Sequence, residues 1–180
     1  MTVFWTNGYE GTSLSDLTEA MGINRPSLYA AYGNKQELFR KALERYAEGP
    51  SSYERKALAQ ATAREVAEGL LRGAADVQTD PNTPAGCLAT LGTTYCADES
   101  SPAGKMLIAS RLAGHAAIRE RFERARADGD LPADADPTAL THFLGAVVCG
   151  MAVLAASGAT REELERVIEL TVRAWPAGEP

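Results

Sequence analysis

Apolar residues in this chain recur at helical spacing, and strand-like alternation persists nowhere, so the pattern predicts an all-α protein rich in Ala, Leu, Glu and Arg. Val3-Phe4-Trp5 reads as the last turn of a helix that stops at Asn7-Gly8. A second helix is expected from about Ser13 to Met21, with Leu14, Leu17 and Met21 on one face, and a third from about Asn24 to Ala31. Asn34 with Glu37 is a capping signal for a fourth helix, which puts Leu38, Phe39, Ala42, Leu43 and Tyr46 on one stripe before Gly49-Pro50 breaks it. One helical segment carrying Val66, Leu70 and Leu71 is expected over 57–76. Residues 78–86 hold two prolines and read as a loop, followed by a helix from about Cys87 to Ala97. Ser100-Ser101-Pro102 punctuates the chain before a long helix over 103–127, which ends near Gly129. After a connector from Pro132 to Pro137, a helix runs over about 137–156 and ends at Ser157-Gly158. The final helix opens on a capping box, Thr160 with Glu163, and carries Leu164, Val167, Ile168, Thr171, Val172 and Trp175 on one face.

Composition adds bounds. The 180 residues suffice for one or two small helical domains, and 45% apolar with 23% charged residues is ordinary for a globular protein. The net charge of −6 does not itself suggest a nucleic-acid binder. It is uneven, however: in residues 1–46, Arg25, Lys35, Arg40, Lys41 and Arg45 balance Glu10, Asp16, Glu19, Glu37 and Glu44. A neutral head on an acidic body is compatible with DNA binding, because only the docking face must be positive. Cys87, Cys96 and Cys149 form no CxxC, which argues against a disulfide framework or structural zinc and suits a reducing cytoplasm. No signal-peptide pattern opens the sequence. Pro137 to Thr160 lacks Asp, Glu, Lys and Arg and is long enough to cross a bilayer. It is made largely of small residues and lacks flanking anchors, so it is expected to be a helix buried on most sides within protein, with no membrane partner.

The most informative stretch is 12–39. Leu14, Leu17, Met21, Ile23 and Leu28 would form a small core between two short helices joined by a tight turn at Gly22, the helix-turn-helix arrangement that enters a DNA major groove. The second of these helices exposes Asn24, Arg25, Pro26, Ser27, Ala30 and Ala31. Arg25 suits bidentate recognition of guanine and Asn24 of adenine, while Ser27 reaches a base or phosphate. Tyr29, Tyr32 and Lys35 supply phosphate partners or packing, and the helix start at Thr12 and Ser13 offers backbone donors to a phosphate.

These residues resemble the tetracycline-repressor (TetR) family of bacterial regulators. The resemblance rests on Gly8-Tyr9, Thr12-Ser13, Ala20-Met21-Gly22-Ile23-Asn24, Leu28-Tyr29-Ala30-Ala31-Tyr32 and Lys35-Gln36-Glu37-Leu38, about forty residues with fixed spacing. It implies backbone contacts at Thr12, Tyr29 and Lys35 and groove reading at Asn24, Arg25, Pro26 and Ser27. Tyr32 stands where the family usually has Phe and is expected in the core. Of the family's first helix only the last turn, Val3 to Thr6, is recognisable, so Leu14, Leu17, Leu38 and Phe39 are expected to lose cover on one side. Residues 85–175 resemble the family's C-terminal domain more weakly, through Gly86-Cys87-Leu88 and Leu131-Pro132-Ala133-Asp134.

The expected organisation is a DNA-binding domain over 1–47 and a helical ligand-binding and dimerisation domain over 48–180. Two stripes point to a homodimer seam: the small residues Gly145, Cys149, Ala152 and Ala156, and the apolar Leu164, Val167, Ile168 and Val172. The resemblance implies that the last two helices pair with those of a second subunit. It also implies a small-molecule effector inside the body, for which Leu70, Tyr95, Met106, Leu107, Arg111, His115, Phe143 and Val147 are candidates. His115 and His142 have no ligand-spaced partner, so no metal is expected. Without a Gly-rich phosphate loop, HExxH or Gly-x-Ser-x-Gly, no catalytic residue or cofactor is expected. The expected function is a ligand-responsive transcriptional regulator acting on double-stranded operator DNA. The alternative is a helical small-molecule-binding or protein-interaction dimer that no longer binds DNA.

Overall fold

The computed structural model describes residues 1–94 and 101–176 and, among them, is built of helices, as expected. The head comprises α1 (Thr2–Asn7), α2 (Leu14–Met21), α3 (Arg25–Tyr32) and α4 (Lys35–Glu48). Each boundary follows from its local chemistry. Ser13 and Asp16 form a reciprocal capping box at the start of α2, and Asn24 and Asn34 accept the N3 amides of α3 and α4. Gly22, at φ +64°, takes the left-handed conformation that turns α2 into α3 without a Cβ penalty.

The expected gap beside the helix-turn-helix does not arise. Phe4 and Trp5 of α1 are 0% and 3% exposed and fill that space. Phe4 meets Phe39 edge-on with ring centroids 5.0 Å apart, and Trp5 meets Tyr46 in the same way at 4.9 Å. Leu17, Leu38 and Phe39 are consequently buried, and Leu14 is half-buried against the same cluster. Two aromatic side chains in a single helical turn therefore supply the missing cover. Met21, expected in this core, instead lies at the solvent-facing end of α2, 36% exposed. Tyr32 packs against the cluster but is only half-buried.

The body follows a 3-10 turn at Pro50–Ser52 and contains α5 (Tyr53–Leu58), α6 (Ala63–Gln78), α7 (Leu88–Thr94), α8 (Pro102–Ala127), α9 (Pro137–Ala156) and α10 (Arg161–Arg173). The single segment expected over 57–76 is thus two helices. A second capping box, Thr62 with Glu65, stops α5 from continuing into α6, and the Asp130 carboxylate also accepts from the Ala63 amide at 2.5 Å. Of the helix expected to reach Ala97, the part beyond Thr94 lies outside the described residues. Helix α6 lies at the centre: Val66, Ala67, Leu70, Leu71 and Ala75 are buried in one core with Phe122, Leu144, Met151, Leu164 and Ile168. The head core is continuous with the body, since Leu88, Ala103 and Leu107 join Phe4, Leu28 and Phe39 in one cluster.

Helix α9 departs from its expected burial. Its mean hydropathy is 2.0, yet only 28% of its apolar stretch is buried. Phe143, Val153 and Leu154 on α9, with Leu170 on α10, leave an apolar face 42–63% exposed. By length and composition α9 could cross a membrane, but its other face is built into the body core.

Candidate nucleic-acid interface and body cavity

Helix α3 spans eight residues, a rise of about 12 Å, and buries only Leu28. Arg25, Pro26, Ser27, Tyr29, Ala30 and Ala31 are all exposed. An exposed short helix, anchored by one Leu and flanked by small residues, has the dimensions to enter a major groove. Arg25 projects from its first turn, where its Nη2 donates to the Ser15 hydroxyl of α2 at 2.9 Å. At the start of α4, the Lys35 ammonium sits 4.2 Å from the centroid of the Tyr9 ring. Partial burial lowers the Lys35 pKa, while Glu10 and Asp16 oppose that shift.

Two of the expected contact residues are also engaged within the head. Thr12 is only 1% exposed, and its hydroxyl donates to the Gly8 carbonyl at 2.6 Å. Its side chain therefore fastens the α1–α2 loop and cannot reach a phosphate. Asn24 is exposed, but its Oδ1 accepts from the Ser27 amide at 2.9 Å as the α3 cap. Bidentate adenine recognition would use the same oxygen, which has a second lone pair, so the cap and adenine reading are compatible. Ser13 is likewise a cap, accepting from the Asp16 amide at 3.1 Å, though it stays at the surface. Hydrogen bonding from Ser13 in return holds the Asp16 carboxyl below its ordinary value, so the cap is ionised at neutral pH.

The body contains a cavity of about 170 Å³ bounded by α4 to α9. Of the expected effector residues, Leu70, Arg111 and His115 line it. Met106 and Leu107 instead pack into the head cluster, Val147 packs against the body core, and Phe143 lies on the outer face of α9. Tyr95 lies outside the described residues. Sequence reasoning missed the polar wall of the cavity: Tyr46, Ser51, Tyr53, Glu54, Cys87, Thr90, Ser110 and Cys149. The Tyr46 hydroxyl donates to the Cys87 Sγ at 3.3 Å, and Ser51 donates to Glu54 at 2.5 Å. Burial raises the pKa values of Tyr46 and Tyr53, so both phenols stay neutral hydrogen-bonding groups. Burial first, then the nearby His142 and Arg111, lowers the pKa of His115. No spacing rule could have found this wall, because it is contributed one or two residues at a time by separate helices and the segments between them.

The small-residue stripe also faces a different neighbour from the one expected. A Cβ on Gly145 would lie 2.9 Å from His115 Nε2 of the same chain, Cys149 lies on the cavity, and Ala152 is fully buried against the Gly86 loop. Ala156, though exposed, also approaches Gly86. On α10, Leu164 and Ile168 are 0% and 1% exposed in the subunit's own core, with Val167 and Val172 half-buried against it. Close approach of α8 and α9, and of α10 and α6, accounts for these residues within a single chain. On α9 and α10 the outward large apolar residues are Phe143, Val153, Leu154 and Leu170, and on α8 Leu112 is also exposed.

Comparisons with known proteins agree with this arrangement. Residues 1–42 match the family described as bacterial regulatory proteins, tetR family, and residues 68–171 match the tetracyclin repressor-like C-terminal domain. ComR, an HTH-type transcriptional repressor of Escherichia coli K12, is 33% identical over 178 residues, 98% of this chain and 85% of ComR. The TetR-family regulator CifR, solved in complex with a 26-bp operator duplex, is 43% identical with a TM-score of 0.90, covering 97% of this chain and 92% of that one. A TetR transcriptional regulator from Rhodococcus sp. RHA1 is 42% identical with a TM-score of 0.69, over 97% of this chain and 94% of that one. The matches lie on the two regions built above, the capped helix-turn-helix and the helical body behind it, and the chain belongs to the TetR family of DNA-binding transcriptional regulators.

Proposed function

We propose that this protein is a cytoplasmic repressor that acts as a homodimer, places its two α3 helices in major grooves of a double-stranded operator, and is released when a small molecule occupies the α4–α9 cavity. The observation that carries the reading is the helix-turn-helix itself. Its reading helix exposes Arg25, Pro26, Ser27 and Tyr29 while a single Leu holds it to the head. CifR, similar along nearly the whole chain, has been captured on operator duplex. Residues 1–47 act as the DNA-binding unit and 48–180 as the ligand-binding and dimerisation unit. Ser13, Tyr29 and Lys35 contact phosphates, while Arg25 and Ser27 reach bases.

A dimer answers two needs. Two heads read two half-sites, which multiplies specificity. The apolar face of Phe143, Val153, Leu154 and Leu170 is covered. These outward residues, rather than the inward small stripe, form the proposed seam.

The cavity supports release because Leu43, Tyr46 and Ala47 of α4 form one of its walls, and α4 begins two residues after α3 ends. An occupant that binds one α4 position better than another shifts the population of head positions by that difference in affinity. A thermal-shift screen of small molecules, followed by operator binding with each hit, tests this. Hits should raise Tm and weaken operator affinity together, and Cys149→Phe, which adds a ring on the cavity wall, should abolish both effects. Hits that raise Tm equally in Cys149→Phe, or leave operator affinity unchanged, would refute release through this cavity.

A further inference from the structure

The hydrogen bond between α2 and α3 points to a role that the reading helix alone does not supply. We infer that Ser15 is a positioning residue for sequence reading: it holds the Arg25 guanidinium at the groove-facing end of α3 before DNA arrives. This rests on Arg25 being a base-reading residue. Arg25 Nη2 donates to Ser15 Oγ at 2.9 Å across the helix-turn-helix. A guanidinium carries five N–H donors, so one bond to Ser15 leaves the remaining Nη donors free for the O6 and N7 of guanine. The tether is also neutral. Arg25, like most arginines of the chain, makes no ion pair among the described residues. The adjacent acid, Asp16, is turned away to accept from the Ser13 amide at 2.7 Å. Arg25 is thus oriented without losing the charge that DNA attracts. Fixing a long side chain beforehand removes an ordering cost from binding, and the benefit appears only where the fork meets its base.

The test uses the full chain and a duplex selected by it from a randomised pool, with a scrambled duplex as the nonspecific reference. Ser15→Ala should lower affinity for the selected duplex about 2- to 10-fold and leave the scrambled duplex unchanged, because no phosphate contact is lost. Ser15→Thr, which keeps the hydroxyl, should restore the preference. In an Arg25→Ala background, Ser15→Ala should have no further effect. Equal weakening on both duplexes would make Ser15 a phosphate contact and overturn the inference. So would additivity with Arg25→Ala. If Arg25→Ala itself leaves the preference intact, the reading role of Arg25 fails; if Arg25→Ala erases it and Ser15→Ala does not change it, only the positioning role fails.

Discussion

Replacing Phe4 by Ala should uncouple the head from the body. Phe4 is 0% exposed, stacks near Tyr9 at 6.1 Å and meets Phe39 edge-on at 5.0 Å. Truncating a fully buried Phe costs about 3–5 kcal/mol through lost transfer energy and an unfilled cavity. A chain of this size is stabilised by roughly 5–15 kcal/mol, so the loss takes a large share of it. The cost falls on the cluster that holds α2, α3 and α4 together, while the core around α6 keeps its own contacts. Urea unfolding followed by circular dichroism should show the midpoint fall by the equivalent of ~3–5 kcal/mol, with a broadened or two-step transition as the head opens first. Operator affinity should fall in parallel. Phe4→Leu, which keeps most of the apolar volume but loses both ring contacts, should cost less, about 1–2 kcal/mol. A Phe4→Ala loss below about 1 kcal/mol, the size of an ordinary surface change, would show that α1 does not hold the helix-turn-helix and would refute the argument.

Other outcomes follow from the same contacts. Thr12→Val should destabilise by about 1–3 kcal/mol by leaving the Gly8 carbonyl unpaired, as expected of a loop fastener; unchanged stability with weaker binding to every duplex would give Thr12 a phosphate role instead. Leu154→Glu combined with Leu170→Glu should give a monomeric mass in light scattering at micromolar concentration with the helical circular-dichroism signal retained, because both residues face outward; an unchanged dimer would move the seam elsewhere. His115 has a lowered folded pKa, so the unfolded chain binds more protons just below pH 6.5, and stability should fall as pH drops from there through the folded value. His115→Gln should flatten that window and leave the lower acid limb, set by carboxylates such as Glu165, unchanged; an identical profile in the variant would remove His115 from the account.

The head was legible in the sequence because its signals are local. Caps, a turn glycine and a short apolar repeat each act within four residues, and Ser13, Gly22, Asn24 and Asn34 sit at the boundaries they imply. The same local logic does not separate the capping role of Asn24 from base reading, because residue type alone allows either task. The covering role of Phe4 and Trp5 was hidden because it comes from contacts with Phe39 and Tyr46, more than thirty positions away. In the body, periodicity located the apolar stripes of α9 and α10 but could not assign their neighbours. Ala152, Leu164 and Ile168 face inward and Leu154 and Leu170 outward, a choice fixed by how these helices pack on α6 and α8. The cavity wall, built from isolated residues on several helices, has no linear signature.

The central claim is that α3 reads sequence through Arg25. Its most direct test is the ratio of affinities for a selected duplex and a scrambled one at fixed, near-physiological salt, for the wild-type chain and Arg25→Ala. The wild type should bind the selected duplex at least about 10³-fold more tightly. Arg25→Ala should reduce that preference by about 1–3 kcal/mol, at one base pair of each half-site, with nonspecific affinity nearly unchanged. Equal affinity of the wild type for both duplexes, or a preference untouched by Arg25→Ala, would contradict it.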